Sequence, residues 1–307
     1  MRKVLPILLA FLFAAPVWGQ QTFKFATRDT LDLYLDVYAP ASGAQTTFEG
    51  HAKPTVLFVF GGGFIQGERD NAFQKAWFER LTQNGYGVVA IDYRLGMKGF
   101  KVGKGLSGAL KASEQFLLSQ EMGVEDVCAA VNFLAANQVG VDVNNLVLAG
   151  SSAGAIISVA TEYHIVNGTA PELPEGFNFK GVMSFAGAVI STTGKPEFLA
   201  QPCPIVFFHG TEDQAVAYEK YAHFGRGIWG SAYFDKQFDK KGYHHLIYRF
   251  DGRTHDVAAY MHALWEEEMN FLEQDVMLGK ARTIDALVSD ATLPSWGNIS
   301  MDSIYRK

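Results

Sequence analysis

The chain has 307 residues, 48% hydrophobic and 19% charged, with a formal net charge of −6. That balance excludes a disordered chain, and 31 Gly and 10 Pro without a period exclude collagen-like or low-complexity sequence. An acidic chain with no Lys/Arg cluster is a poor partner for nucleic acid.

The chain opens with Arg2 and Lys3, followed by an apolar run over residues 4–18. The run is too short to span a bilayer comfortably, and small residues stand near its end. Residues 1–19 therefore read as a signal peptide cleaved after Gly19. The mature protein is expected to be exported, periplasmic or extracellular, and soluble, with no membrane span.

Residues 22–28 and Leu31–Tyr38 alternate apolar and polar side chains, as an antiparallel pair at a sheet edge does. The runs 55–60 and 87–92 are continuously apolar, as expected of strands covered on both faces. Between them, residues 71–84 read as a helix closed by Gly85. Residues 96–120 are rich in Gly, carry Lys98, Lys101 and Lys104, and read as a loop or candidate flap. Helical spacing over 124–136 puts Val124, Val127, Cys128, Val131, Leu134 and Ala135 on one face. Strand 146–149 leads into an apolar helix, 153–163. Strands follow at 182–186, 205–208 and Leu246–Phe250, then a last long helix at 257–273. Residues 281–307 read as a polar tail.

This alternation predicts one α/β domain over residues 20–280, a mostly parallel central sheet with helices on both faces. Cys128 and Cys203 read as two buried thiols rather than a bridge. No Cys/His spacing suits zinc.

Gly150-Ser151-Ser152-Ala153-Gly154 fits G-x-S-x-G between an apolar strand and an apolar helix. A strand turning that sharply into a helix needs glycine on both sides of Ser152, where a side chain would collide. Ser152 then stands at a helix start, where free N–H groups favour negative charge. The glycines of Phe60-Gly61-Gly62-Gly63-Phe64 follow a strand end and can aim N–H groups at a substrate. Gly62, Gly63 and Ala153 are the expected oxyanion donors.

Two further groups fall at the carboxyl ends of later strands, where sites form in open parallel sheets. They are Asp213 in His209-Gly210-Thr211-Glu212-Asp213 and His255 in Gly252-Arg253-Thr254-His255. Glu212 competes with Asp213. His244 and His245 precede their strand, His262 lies in a helix, and His209 precedes the acid; none is chosen. The order Ser152, Asp213, His255 differs from the chymotrypsin and subtilisin orders.

Together these stretches resemble α/β-hydrolases of the esterase/lipase group related to hormone-sensitive lipase and bacterial carboxylesterases. The matching segments are FGGGF, Asp92-Tyr93-Arg94-Leu95, the helix around Asp126, GSSAG, HGTED and GRTHD, over roughly residues 30–275. Phe60 departs from the family, which usually carries His there to support the loop. The resemblance implies structural roles for Asp92 and Arg94. It also implies a serine carboxylesterase without metal or organic cofactor, and the expected export points to a small-molecule or polysaccharide-linked ester as its substrate. A serine peptidase or amidase of the same fold shares every motif, and an inactive hydrolase fold kept for binding is the reading from another class.

Overall fold

The computed structural model describes residues 20–295 and 297. The signal-peptide reading of 1–19 and most of the segment beyond 295 lie outside them.

Strands β1 (Gln21–Arg28) and β2 (Leu31–Tyr38) form the antiparallel edge pair. A small hairpin, β3 (Thr47–Phe48) and β4 (His51–Ala52), precedes β5 (Thr55–Val59). Helix α1 (Ala72–Gln83) is capped by the Asn71 side chain, which accepts from Gln74 N at 3.1 Å, and β6 (Gly87–Ile91) follows. Next come α2 (Gly105–Ala136), β7 (Leu146–Ser151), α3 (Ala153–Val166), β8 (Gly181–Phe185) and β9 (Ala188–Ser191). The second half holds β10 (Ile205–Gly210), β11 (Lys220–His223), β12 (Arg226–Gly230), α4 (Ser231–Lys241) and β13 (Leu246–Phe250). A 3-10 helix (His255–His262), α5 (Trp265–Asn270), a π-helical stretch (Phe271–Met277) and β14 (Ile284–Val288) complete it.

The main sheet has nine strands in the order β1-β2-β6-β5-β7-β8-β10-β13-β14. Beyond the β1–β2–β6 edge every pairing is parallel. The chain passes from β5 to β6 on one side, then crosses back to β7 on the other. The strand order reverses there, so a crevice opens beyond the carboxyl ends of β5 and β7. Parallel strands need cover on both faces, and the side chains of β5, β6, β7, β8 and β10 are almost all buried. Phe58, Trp77, Phe185 and Phe208 are among the core's largest buried rings.

Four expectations need correction. Residues 96–120 are not a loop throughout: from Gly105 they form the first half of α2, because Ala112, Ser119 and Gln120 continue its buried face. The preceding stretch is tied down, with Met97 N donating to Phe64 O at 3.0 Å and Gln115 Nε2 to Gly96 O at 2.6 Å. On α2 the named face is buried except at Ala135, which is exposed. The last helix is broken into 3-10, α and π segments. Finally, the polar tail contributes β14, whose half-buried residues alternate with exposed ones and which pairs with β13 from Leu246–Ile284 to Phe250–Val288. A separate sheet, β11-β12-β9, and helix α4 have no counterpart in the sequence reading. Both cysteines are free; Cys128 is buried and Cys203 half-buried.

Candidate active site

One residue, Ser152, separates β7 from α3. Its backbone sits at φ 52, ψ −117, a region that costs a side-chain-bearing residue of the order of 1–3 kcal/mol. The surroundings enforce it. A methyl on Gly154 would run into the carbonyl oxygen of Val59 on β5, and one on Gly150 into the backbone of Gly154. Both flanking positions therefore require glycine. Ser152 N donates to Phe185 O at 2.9 Å, and Ser152 O accepts from Ile156 N at 2.9 Å to begin the helix.

Ser152 Oγ lies 2.8 Å from His255 Nε2, and His255 Nδ1 lies 2.7 Å from Asp213 Oδ2. A neutral imidazole with its proton on Nδ1 donates to Asp213 and accepts from the serine hydroxyl. Asp213 and His255 are both buried, each 7% exposed. Asp213 Oδ1 also accepts from Ala215 N at 2.8 Å and Val216 N at 2.9 Å. Burial pushes the Asp213 carboxyl up, but hydrogen bonds and attraction from His209 and His255 outweigh it and hold it well below the usual range. Asp213 is thus an anion whose position is set from several sides. Glu212 is exposed, and His245 binds Asp235 at 3.0 Å at the other end of β13.

The glycine loop follows β5 and faces the same crevice. Gly61, Gly62 and Gly63 line a cleft of about 380 Å³ together with Ser152, His255 and Phe73. The Gly62 carbonyl accepts from Ile65 N and Gln66 N at 3.1 and 3.2 Å, closing the loop into a turn. Ala153 begins α3, where the first N–H groups have no acceptor within the helix. Phe60, in the position of the family's usual His, is buried against Tyr93 with ring centroids 4.4 Å apart. Phe60 thus contributes ring packing at this position.

Asp92 and Arg94 lie outside the cleft lining. Arg69 bridges Asp36 and Asp92 at 2.7 and 2.9 Å, and Arg94 Nε bonds buried Asp126 at 3.0 Å. Lys98, Lys101 and Lys104 are likewise absent from the lining, which carries no Lys, Arg, Asp or Glu. Among the described residues no group of three or more His, Cys, Asp or Glu is arranged to hold a metal ion. No helix among them is long and apolar enough to cross a membrane.

Two residues near the site were not found from sequence. Ser151 is buried and donates from Oγ to Ala258 O at 2.6 Å. His209 is fully buried and lies 3.3 Å from Asp213 Oδ2. Its spacing four residues ahead of the acid, at a strand end, was the available signal.

A crossover sheet with a strained serine between strand and helix, and an acid and histidine beyond later strands, defines the α/β-hydrolase fold. The apo form of Thermogutta terrifontis esterase 2 superposes with a TM-score of 0.59 at 21% identity, covering 84% of this chain and 96% of that one. The carboxylesterase family model matches residues 20–173, and the chain belongs to that family. It is 34% identical over 134 residues to chlorogenic acid esterase of Aspergillus niger, covering 43% of this chain and 24% of that protein. It is 29% identical over 143 residues to esterase B1 of Culex pipiens, covering 46% of this chain and 23% of that protein. The chain thus spans about a quarter of the length of these two curated relatives.

Proposed function

We propose that the protein is an exported serine carboxylesterase. The observation that carries this reading is the hydrogen-bonded chain from Asp213 through His255 to a strained Ser152 at 2.7 and 2.8 Å. Ser152 Oγ attacks the ester carbonyl while His255 Nε2 takes its proton. His255 then returns that proton to the leaving alcohol, and Asp213 holds the ring in the required tautomer and stabilises the imidazolium. The N–H groups of Gly62, Gly63 and Ala153 stabilise the oxyanion. Water, activated by the same histidine, releases the acid from the acyl-enzyme. The steps use only these side chains and N–H groups.

The likeness to a chlorogenic acid esterase supports starting with esters of aromatic acids. The basic and apolar stretch over residues 2–18 supports export.

The test is labelling with a fluorophosphonate beside hydrolysis of 4-nitrophenyl acetate and methyl ferulate. Ser152 should be the labelled residue, and Ser152→Ala should lose both labelling and hydrolysis with its near-UV circular dichroism unchanged. Hydrolysis by Ser152→Ala at the wild-type rate would overturn the proposal.

A further inference from the structure

The catalytic reading uses one histidine, yet Asp213 meets two. His209 lies on β10, fully buried, with Nε2 3.1 Å from the Val216 carbonyl oxygen and 3.3 Å from Asp213 Oδ2. Nε2–H bonds the Val216 carbonyl, and Asp213 Oδ2 lies close beside that hydrogen as a longer polar contact. At the other end of the ring, Nδ1 lies 2.7 Å from Ser231 Oγ, the first residue of α4. Ser231 Oγ also lies 3.4 Å from the Gly187 carbonyl oxygen. The ring is therefore held at both nitrogens, and Asp213 Oδ2 is shared between His209 and His255.

We infer that His209 is a positioning residue: by keeping its Nε2–H against Asp213 Oδ2 it steadies that carboxylate and limits how strongly it holds a proton on His255. This rests on the Ser152, His255 and Asp213 assignment above. A carboxylate oxygen that gives up electron density to a second donor is a weaker acceptor for the first. Removing the His209 donor leaves Asp213 more basic and its attraction for the His255 imidazolium greater. The proton on His255 then leaves at higher pH. The sign does not depend on the charge of His209: if it is cationic, its loss also removes a repulsion that lowers the affinity of His255 for a proton.

Other titratable groups face this cluster and stay in place in the test. Tyr218 presents its ring edge-on to His209 with centroids 5.6 Å apart, and its hydroxyl is bonded by Arg249 of β13. Asp256, next to His255, is buried and accepts from Thr254 Oγ1 at 3.3 Å and Ser295 Oγ at 3.1 Å. Glu212 is exposed.

The experiment is the pH profile of kcat/KM on 4-nitrophenyl acetate for the wild type, His209→Leu, His209→Gln and Asp213→Asn. Leucine fills the space without a donor, whereas the glutamine amide nitrogen can stand in for Nε2. In His209→Leu the acid limb should move up by about half a pH unit and kcat should fall on the order of tenfold, with KM little changed. His209→Gln should keep the limb near its wild-type position. If His209→Leu does not fold, His209→Asn, too short to reach Asp213, takes its place and should show the same upward shift. An unmoved limb in the donor-free variant, or equal shifts in the Gln and donor-free variants, would overturn the inference. Retained activity in Asp213→Asn would instead overturn the assignment on which it rests.

Discussion

The Ser151 hydroxyl donates to the Ala258 carbonyl at 2.6 Å, joining the turn that carries Ser152 to the 3-10 helix that begins with His255. Ser152 and His255 come from segments about a hundred residues apart, and this bond ties the two segments together. Ser151→Ala should therefore keep a labelled Ser152 but lose several-fold in kcat. Its stability should fall by about 1 kcal/mol, the usual loss for one buried hydrogen bond. Urea unfolding and steady-state kinetics on one preparation check both. A Ser151→Ala enzyme as inactive as Ser152→Ala would put the nucleophile at the wrong position.

Asp213→Asn should lose on the order of 10³-fold or more in kcat, because the amide favours the wrong imidazole tautomer. Glu212→Gln should lose less than about twofold, since Glu212 is exposed and Asp213 is the residue bonded to His255. Side-by-side kinetics decide it, and near wild-type turnover by Asp213→Asn would move the acid role elsewhere.

Gly154→Ala should cost on the order of 3 kcal/mol or more, or prevent folding, because the added methyl meets the Val59 carbonyl oxygen. Backbone of β5 cannot yield without disturbing the glycine loop that follows it. Thermal unfolding measures the loss, and an unchanged Tm would show that the turn is looser than its geometry implies.

Glu162 is fully buried, and burial raises its carboxyl to about 7 against the hydrogen bonds it accepts from Cys203 N at 2.7 Å and Asn178 Nδ2 at 3.3 Å. Its Oε2 finds no hydrogen-bond partner among the described residues. The folded state therefore binds this proton more tightly than the unfolded chain does. Its contribution is complete below the unfolded value of 4.5 and is lost as pH rises towards about 7. Glu162→Gln, which stays neutral, should gain Tm relative to wild type at pH 8 and gain less at pH 5. Equal differences at the two pH values would count against a titrating Glu162.

The cleft lining carries no Lys, Arg, Asp or Glu, and Lys98, Lys101 and Lys104 lie outside it. Replacing these three lysines by Gln should leave the KM ratio between a carboxylate-bearing ester and a neutral one within about twofold, since solvent and salt screen exposed charges at that range. A larger, salt-sensitive change would assign the segment before α2 a part in substrate capture.

The glycine pattern around Ser152 and the apolar runs of β5, β6 and β7 could be read without coordinates, because local sterics and burial on both faces dictate them. The same holds for placing Asp213 and His255 beyond β10 and β13: a parallel sheet sends every carboxyl end to one edge. By contrast, α4 and the β11-β12-β9 sheet went unread: α4 shows only Phe234 and Phe238 at helical spacing within eleven residues, and β11 is largely exposed. Strand β14 lies in a polar segment because it covers an edge, so its pattern is half-buried rather than continuous. Helix α2 begins in a Gly- and Lys-rich stretch whose exposed side chains mask its periodicity; its buried face becomes regular only where it meets α3. The second histidine beside Asp213 was also decided by tertiary structure. His209 stands before the acid in the chain, and only the turn after β10 brings Asp213 Oδ2 back to 3.3 Å from its ring, on the same oxygen that His255 holds from beyond the neighbouring strand β13.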